Sequence, residues 1–395
     1  MKTYLFAGLF CLLLTGCASW SDPGQYSAAD EHPATFDGVG GQELPPRPVV
    51  GAVTAGRPGK TTAIRDLLPP SIHDREGWAM DIQRAFSALK LPSTPQNICA
   101  VVAITEQESS FHAEPVVAGL PAIVRREIEQ RQKKYQVPQW LVDQGLAMTS
   151  PNGLSYRQRI DRLKTENDVN RLYDDMISEL PLGQTLLSDY NPVRTGGPMQ
   201  VSLAFAREQV KSRPYPYPYR GSLRSELFTR RGGLYFGIAY LLAYPVRYED
   251  IVHRFADFNA GHYASRNAAF QKAIHALTGI GIDYDGDLLR YSGADIANEP
   301  GQTVKAVLTL GPQLGLSDQA IHDDLALEKS PDFAKSALYA KTYELAQARL
   351  GRTLPREAMP EIRLTSPKIS RQLTTAIFAR RVYDRYRKCL GRARR

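Results

Sequence analysis

Glu106 and Glu108 stand two positions apart near the end of an apolar run that begins at Ile98. Only one of them is placed for acid chemistry. At about 100° per residue, a helix through this run puts Glu108 beside Val101 and Ile104, and Glu106 roughly 160° away toward the polar side. A carboxyl group against an apolar wall is poorly solvated, so its charged form is disfavoured and its pKa rises. Such a group keeps its proton near neutral pH and can deliver it to a departing oxygen. A buried glutamate satisfied by a neighbour gives the same pattern, so the spacing alone leaves both readings open.

Two further segments carry groups that could hold a polar ligand. Gly197-Pro198-Met199-Gln200-Val201 sets an amide beside a glycine, whose lack of a side chain allows close backbone approach. Phe258-Asn259-Ala260-Gly261 offers a second amide among small residues. Other signals are weaker. Asp283, Asp285 and Asp287 alternate as at the start of a calcium loop, but Leu288 stands where the turn glycine belongs and Ala294 where the bidentate glutamate belongs. Tyr215, Tyr217 and Tyr219 alternate with prolines and read either as sugar-stacking rings or as an extended surface loop. A Ser or Cys nucleophile triad has no local signature.

The elements that must position these residues are helical. Trp78, Ile82, Ala85, Phe86 and Leu89 line one face of a helix. Thr94-Pro95 supplies an N-cap and a proline at the first helical position, predicting a helix from there to about Ser110. Further helices are expected over 122–135, from Ser202 to Gln209, and from Gly233 to Tyr244 before Pro245. Others should cover 250–258, 265–277, 316–327, 330–350 and 370–390. Period-two alternation is scarce, so the class is mainly α.

The N-terminus sets a compartment. Lys2 precedes an apolar run from Tyr4 to Leu14, too short for the roughly 20 residues that span a bilayer. Leu14-Thr15-Gly16-Cys17 resembles a bacterial lipobox, implying removal of residues 1–16 and acylation of Cys17. Ala18 then favours the periplasmic face of the outer membrane. Residues 17–60 have the Gly, Pro and Ser content of a flexible tether. Export argues against nucleic acid as a partner despite a net charge of +8, and directs that charge toward acidic peptides or anionic lipid. Much of it lies in the C-terminal stretch from Lys368 to Arg395, a wall- or lipid-facing surface or simply a solvated helix face. With Cys11 removed and Cys17 acylated, Cys99 and Cys389 remain, free to pair or to stay as buried thiols.

Taken in order, Glu108-Ser109-Ser110-Phe111, Gly197-Pro198-Met199-Gln200 and Phe258-Asn259-Ala260-Gly261 resemble a known series. It is the Glu-Ser-x-Phe, Gly-Leu-Met-Gln and Tyr-Asn-Ala-Gly of the goose-type lysozyme and soluble lytic transglycosylase superfamily. Gly237 to Leu241 is similar to its Gly-x-x-Tyr-Leu helix and would put Tyr240 beneath the site. The chain as a whole looks like a divergent, uncharacterised family of bacterial lipoproteins with that core. The resemblance implies a lysozyme-like helical domain over 61–282, interrupted by a helical insertion at about 113–190, with an appended C-terminal helical region over 283–395.

It also implies a function: lytic cleavage of the β-1,4 bond between N-acetylmuramic acid and N-acetylglucosamine in peptidoglycan. Glu108 would be the single acid and base. Ser109, Met199, Gln200, Asn259 and Gly261 would bind the glycan, and Phe111 would be a core aromatic behind them. The substrate's own N-acetyl group assists such chemistry, so no metal or organic cofactor is expected. The alternative is a silent lysozyme-like lipoprotein that binds peptidoglycan or scaffolds cell-wall proteins. Pro198 in place of Leu, Phe258 in place of Tyr and the long insertion are departures from the pattern.

Overall fold

The computed structural model describes residues 64–219, 221–292, 295–364 and 373–394. The expected signal peptide, Cys17 and tether lie outside them. The chain is mainly helical, its strands being three two-residue hairpins among the described residues. No described helix is long and apolar enough to cross a membrane.

Three large apolar cores organise the described residues. The central one is built from the Arg75–Leu89, Pro95–Ser109, Arg230–Leu242 and Val252–Ala260 helices. Residues 97–105 of the Pro95–Ser109 helix are all buried, so its wheel has no polar side until Glu106. Thr94 caps this helix by accepting from the N–H of Asn97 at 3.2 Å, with Pro95 at its first position, as the sequence predicts. The central lobe is completed by the last helix, Thr375–Ala393. Its Phe378, Ala379, Val382, Tyr386 and Cys389 enter the core between the Pro95–Ser109 and Val252–Ala260 helices. This helix is therefore part of the central lobe, where the sequence placed it in an appended region. A Cys99–Cys389 disulfide joins it to the Pro95–Ser109 helix across 290 residues. Its outer face leaves Arg380, Arg381, Arg387, Lys388 and Arg394 exposed.

The insertion folds around its own core, with helices Leu120–Lys134, Gln139–Ala147, Tyr156–Asp161 and Glu166–Ser178. That core reaches Val193 and Phe228, which ties the insertion to the chain on either side of the Gly197 loop. The C-terminal lobe packs helices Gln302–Leu314, Asp318–Leu325 and Ala337–Leu350 against the second half of the Ala264–Thr278 helix. The helix at 302–314 carries no signal that the sequence reading used.

Candidate functional site

Glu108 lies in the last turn of its helix, half-buried, where the buried stretch opens to solvent. The exit is strained. Ser110 and Phe111 both adopt left-handed backbone, with φ of 49° and 61°. Each such non-glycine residue costs on the order of 1–2 kcal/mol, and conformations of this kind cluster at functional sites. The turn throws the Phe111 ring back onto Trp78, edge-on with centroids 5.1 Å apart, which confirms it as a core aromatic. Ser109 is buried, and its hydroxyl donates to the carbonyl of Thr105 at 3.0 Å. Glu106 points elsewhere, toward Arg385 of the last helix at 3.8 Å.

The Gly197 loop is a hairpin tip between paired residues Gly196 and Val201. The N–H of Gln200 closes it by donating to the Gly197 carbonyl at 3.1 Å. It rests on a notch in the Arg230–Leu242 helix made by Gly233 and Gly237. A Cβ on Gly233 would come within 2.4 Å of Pro198 Cδ, and one on Gly237 within 2.4 Å of Met199 Sδ. Pro198 thus fills the Gly233 notch. Met199, expected among the glycan-binding residues, is fully buried, and its thioether is the peg that seats the loop. Gln200 is half-buried and braces the turn, its Nε2 donating to the Gly197 carbonyl at 3.3 Å and its Oε1 accepting from Thr195 at 3.4 Å.

The third segment ends the Val252–Ala260 helix. Phe258 packs edge-on against Tyr240, centroids 5.3 Å apart, which brings the second and third motif regions together through the Arg230–Leu242 helix. Asn259 Oδ1 accepts from the Thr375 hydroxyl at 2.9 Å. Gly261, at φ 105°, terminates the helix in a conformation that side chains disfavour. Around this turn sits a polar cluster that the sequence reading missed. Asp257 is fully buried and accepts from the hydroxyls of Tyr244 (3.1 Å) and Tyr248 (2.6 Å) and the N–H groups of Tyr263 (3.0 Å) and Ser265 (2.7 Å). Burial raises its pKa, with the Tyr248 and Ser265 hydrogen bonds working against that rise. His262 lies between the rings of Tyr240 and Tyr244, at 4.1 and 4.0 Å. Burial pushes it down to about 4, so the neutral ring donates from Nε2 to the Tyr240 carbonyl at 2.7 Å. The only advance sign was the density of Tyr and His around the Asn-Ala-Gly segment.

Two other sequence signals resolve into packing. Tyr215 donates to Glu226 at 2.6 Å and stacks on Phe236, and Tyr217 meets Tyr215, Tyr235 and the Arg231 guanidinium. These two rings support the fold, leaving Tyr219 exposed. Asp285 is spent on a turn, accepting from Gln271 Nε2 at 2.9 Å and the N–H of Asp287 at 3.0 Å.

The structure thus gathers the helices and the loop that carry the three segments around one helical frame, with Glu106 and Asn259 both reaching the last helix. A family described as a protein of unknown function (DUF1615) matches residues 71–392, and the chain belongs to that family. An uncharacterised protein of Escherichia coli (strain K12), YaiW, is 46% identical over 329 residues, covering 83% of this chain and 89% of its own length. No solved structure matches.

Proposed function

We propose that this family member is a lysozyme-like lytic transglycosylase of peptidoglycan, held at the periplasmic face of the outer membrane by a lipidated Cys17. One observation carries the reading: three motifs spread from Glu108 to Gly261 pack around a single helix whose glycine notches fit one of them. The strained turn directly after Glu108 adds to it.

The carboxylates around the site support single-acid chemistry. Asp257 is sealed by four donors, and Glu106 faces Arg385. Neither is placed as the second carboxylate that most glycosidases use, so substrate assistance fits better. Glu108 gives its proton to the glycosidic oxygen as that bond breaks, while the substrate's acetamido oxygen supports the sugar carbon. The carboxylate then takes the proton of the muramyl 6-hydroxyl as that oxygen closes the 1,6-anhydro ring. The acid is thereby regenerated. Asn259 and the Gly197–Gln200 backbone hold the glycan, and Ser109 braces the end of the acid's helix.

The test is mass spectrometry of purified peptidoglycan after digestion. Anhydro-muropeptides from the wild type, falling about 10³-fold with Glu108→Gln, are the expected result for loss of a general acid. Reducing ends would make the enzyme a hydrolase. No cleavage by the wild type, with glycan still bound, would replace the enzyme with a silent binding module.

A further inference from the structure

The last helix brings a residue to the candidate site that no motif contains. Thr375 is its first residue and is fully buried. Its place is fixed from three directions. Its N–H donates to the Ile362 carbonyl at 3.2 Å. The hydroxyl of Thr374 before it caps the helix by accepting from the N–H of Ile377. Further along, the Cys99–Cys389 disulfide and the Glu106–Arg385 pair lay the helix antiparallel to the one that carries Glu108. At about 1.5 Å per residue, the stretch from Cys389 back to Thr375 is roughly 21 Å, which carries Thr375 just past the end of the Glu108 helix.

There its hydroxyl donates to Asn259 Oδ1 at 2.9 Å, the side chain's one acceptor atom. This buried hydroxyl has no other acceptor among the described residues, so the bond favours the amide with Oδ1 toward Thr375. Among the described residues no protein group accepts from Asn259 Nδ2, and the residue keeps 6% exposure. We infer that Thr375 is a positioning residue: by occupying Oδ1, it turns the two Nδ2 protons toward the substrate side. The ligand matched by that donor is a neutral carbonyl or hydroxyl oxygen of a glycan, with the acetamido carbonyl of an N-acetylated sugar the best fit. A flipped amide would present Oδ1 to that same carbonyl and repel it.

This inference rests on the transglycosylase reading, and the experiment separates the two. Release of anhydro-muropeptides is measured for the wild type, Thr375→Val, Thr375→Ser, Asn259→Ala and the Thr375→Val/Asn259→Ala double variant, with thermal unfolding of each. Thr375→Val keeps shape and removes the hydroxyl. It should lower kcat/KM about tenfold with little change in Tm, Thr375→Ser should restore the rate, and the valine should have no further effect once Asn259 is alanine. An undiminished rate for Thr375→Val overturns the inference while leaving the transglycosylase intact. So does an equal loss in the Asn259→Ala background, since Thr375 would then act through the fold. Absence of cleavage by the wild type itself sinks the parent reading and this inference with it.

Discussion

The central and C-terminal lobes both bury a polar cluster, and the two clusters end differently. In the C-terminal lobe Glu328 is completely buried and accepts from the N–H groups of Leu288 and Leu289 and from the Tyr291 hydroxyl. Its own carbonyl takes Arg266 and Asn267. Burial pushes its carboxyl up to about 7, against the pull of Lys329 and Tyr291. By titration alone Glu328 looks like a general acid. Yet every direction around it is closed by protein, so it clasps the 288–291 segment to the Ala264–Thr278 helix. In the central lobe the network around Asp257 also closes, whereas Asn259, two residues further on, bonds Thr375 through Oδ1 and meets no acceptor for Nδ2 among the described residues. Perturbed acidity marks burial, and a site needs an opening as well.

The largest effects should come from exchanging the two acids. Glu108→Gln should cost about 10³-fold in turnover, equivalent to about 4 kcal/mol of barrier, and leave Tm nearly unchanged. Glu328→Gln should do the reverse, removing about 2 kcal/mol of stability by upsetting buried hydrogen bonds, with turnover retained at a temperature where the variant is folded. Muropeptide release and thermal unfolding on the same two proteins read both. If Glu328→Gln abolishes cleavage while folded, the contrast drawn between the lobes fails.

Next in size is a matched pair of glycines. Gly197 (φ 74°) and Gly351 (φ 63°) are both left-handed, but a Cβ on Gly197 would lie 2.4 Å from the Leu227 carbonyl whereas one on Gly351 meets nothing within 4 Å. Gly351→Ala should cost about 1 kcal/mol for its backbone alone. Gly197→Ala adds overpacking against backbone that cannot swing away, for a total of about 3–4 kcal/mol. Urea titrations giving equal losses would mean that the notch is looser than its geometry.

The mildest test is pH. His262 has its folded pKa lowered from 6.5 to about 4, so between those values the unfolded chain binds more protons. Its contribution is present above pH 6.5 and is lost as pH falls toward 4. Glu328 is raised from 4.5 to about 7, so the folded chain binds more protons in that window, and stability falls as pH rises through it. Each shift corresponds to about 3 kcal/mol at most. Hydrogen exchange should therefore show the turn around His262 loosening in acid and the 288–291 segment loosening toward pH 8. Comparison with His262→Phe and Glu328→Gln isolates each group, and parallel behaviour of the two regions would remove this distinction.

Local signals in the sequence were read correctly where one element decided the outcome. Thr94-Pro95 starts its helix as expected, and Ser202 caps the Leu203–Ser212 helix by accepting from the N–H of Phe205. What escaped depends on partners far along the chain. The helical wheel sorted Glu108 from Glu106 on apolar spacing, but the helix is buried all round before them because other helices surround it. Met199 reads as a cleft residue until Gly237, 38 positions later, is seen to be its socket. The bond between Asn259 and Thr375 spans 116 residues and has no spacing rule to announce it. Cysteine counting left the pairing of Cys99 with Cys389 open, and only the packing of two helices decides it.

That cross-link sets a schedule for biogenesis. At about 5–20 residues per second, the second sulfur is made roughly 15–60 s after the first. Throughout that interval Cys99 has to remain a thiol, on a helix still missing the neighbour that will cover it. A mixed disulfide formed early would bar the last helix from its groove, so quality at this site is decided by the final stretch to be synthesised. A chain shortened by a few dozen residues would retain all three recognisable motifs and still lack Thr375 and the sulfur that holds it in place.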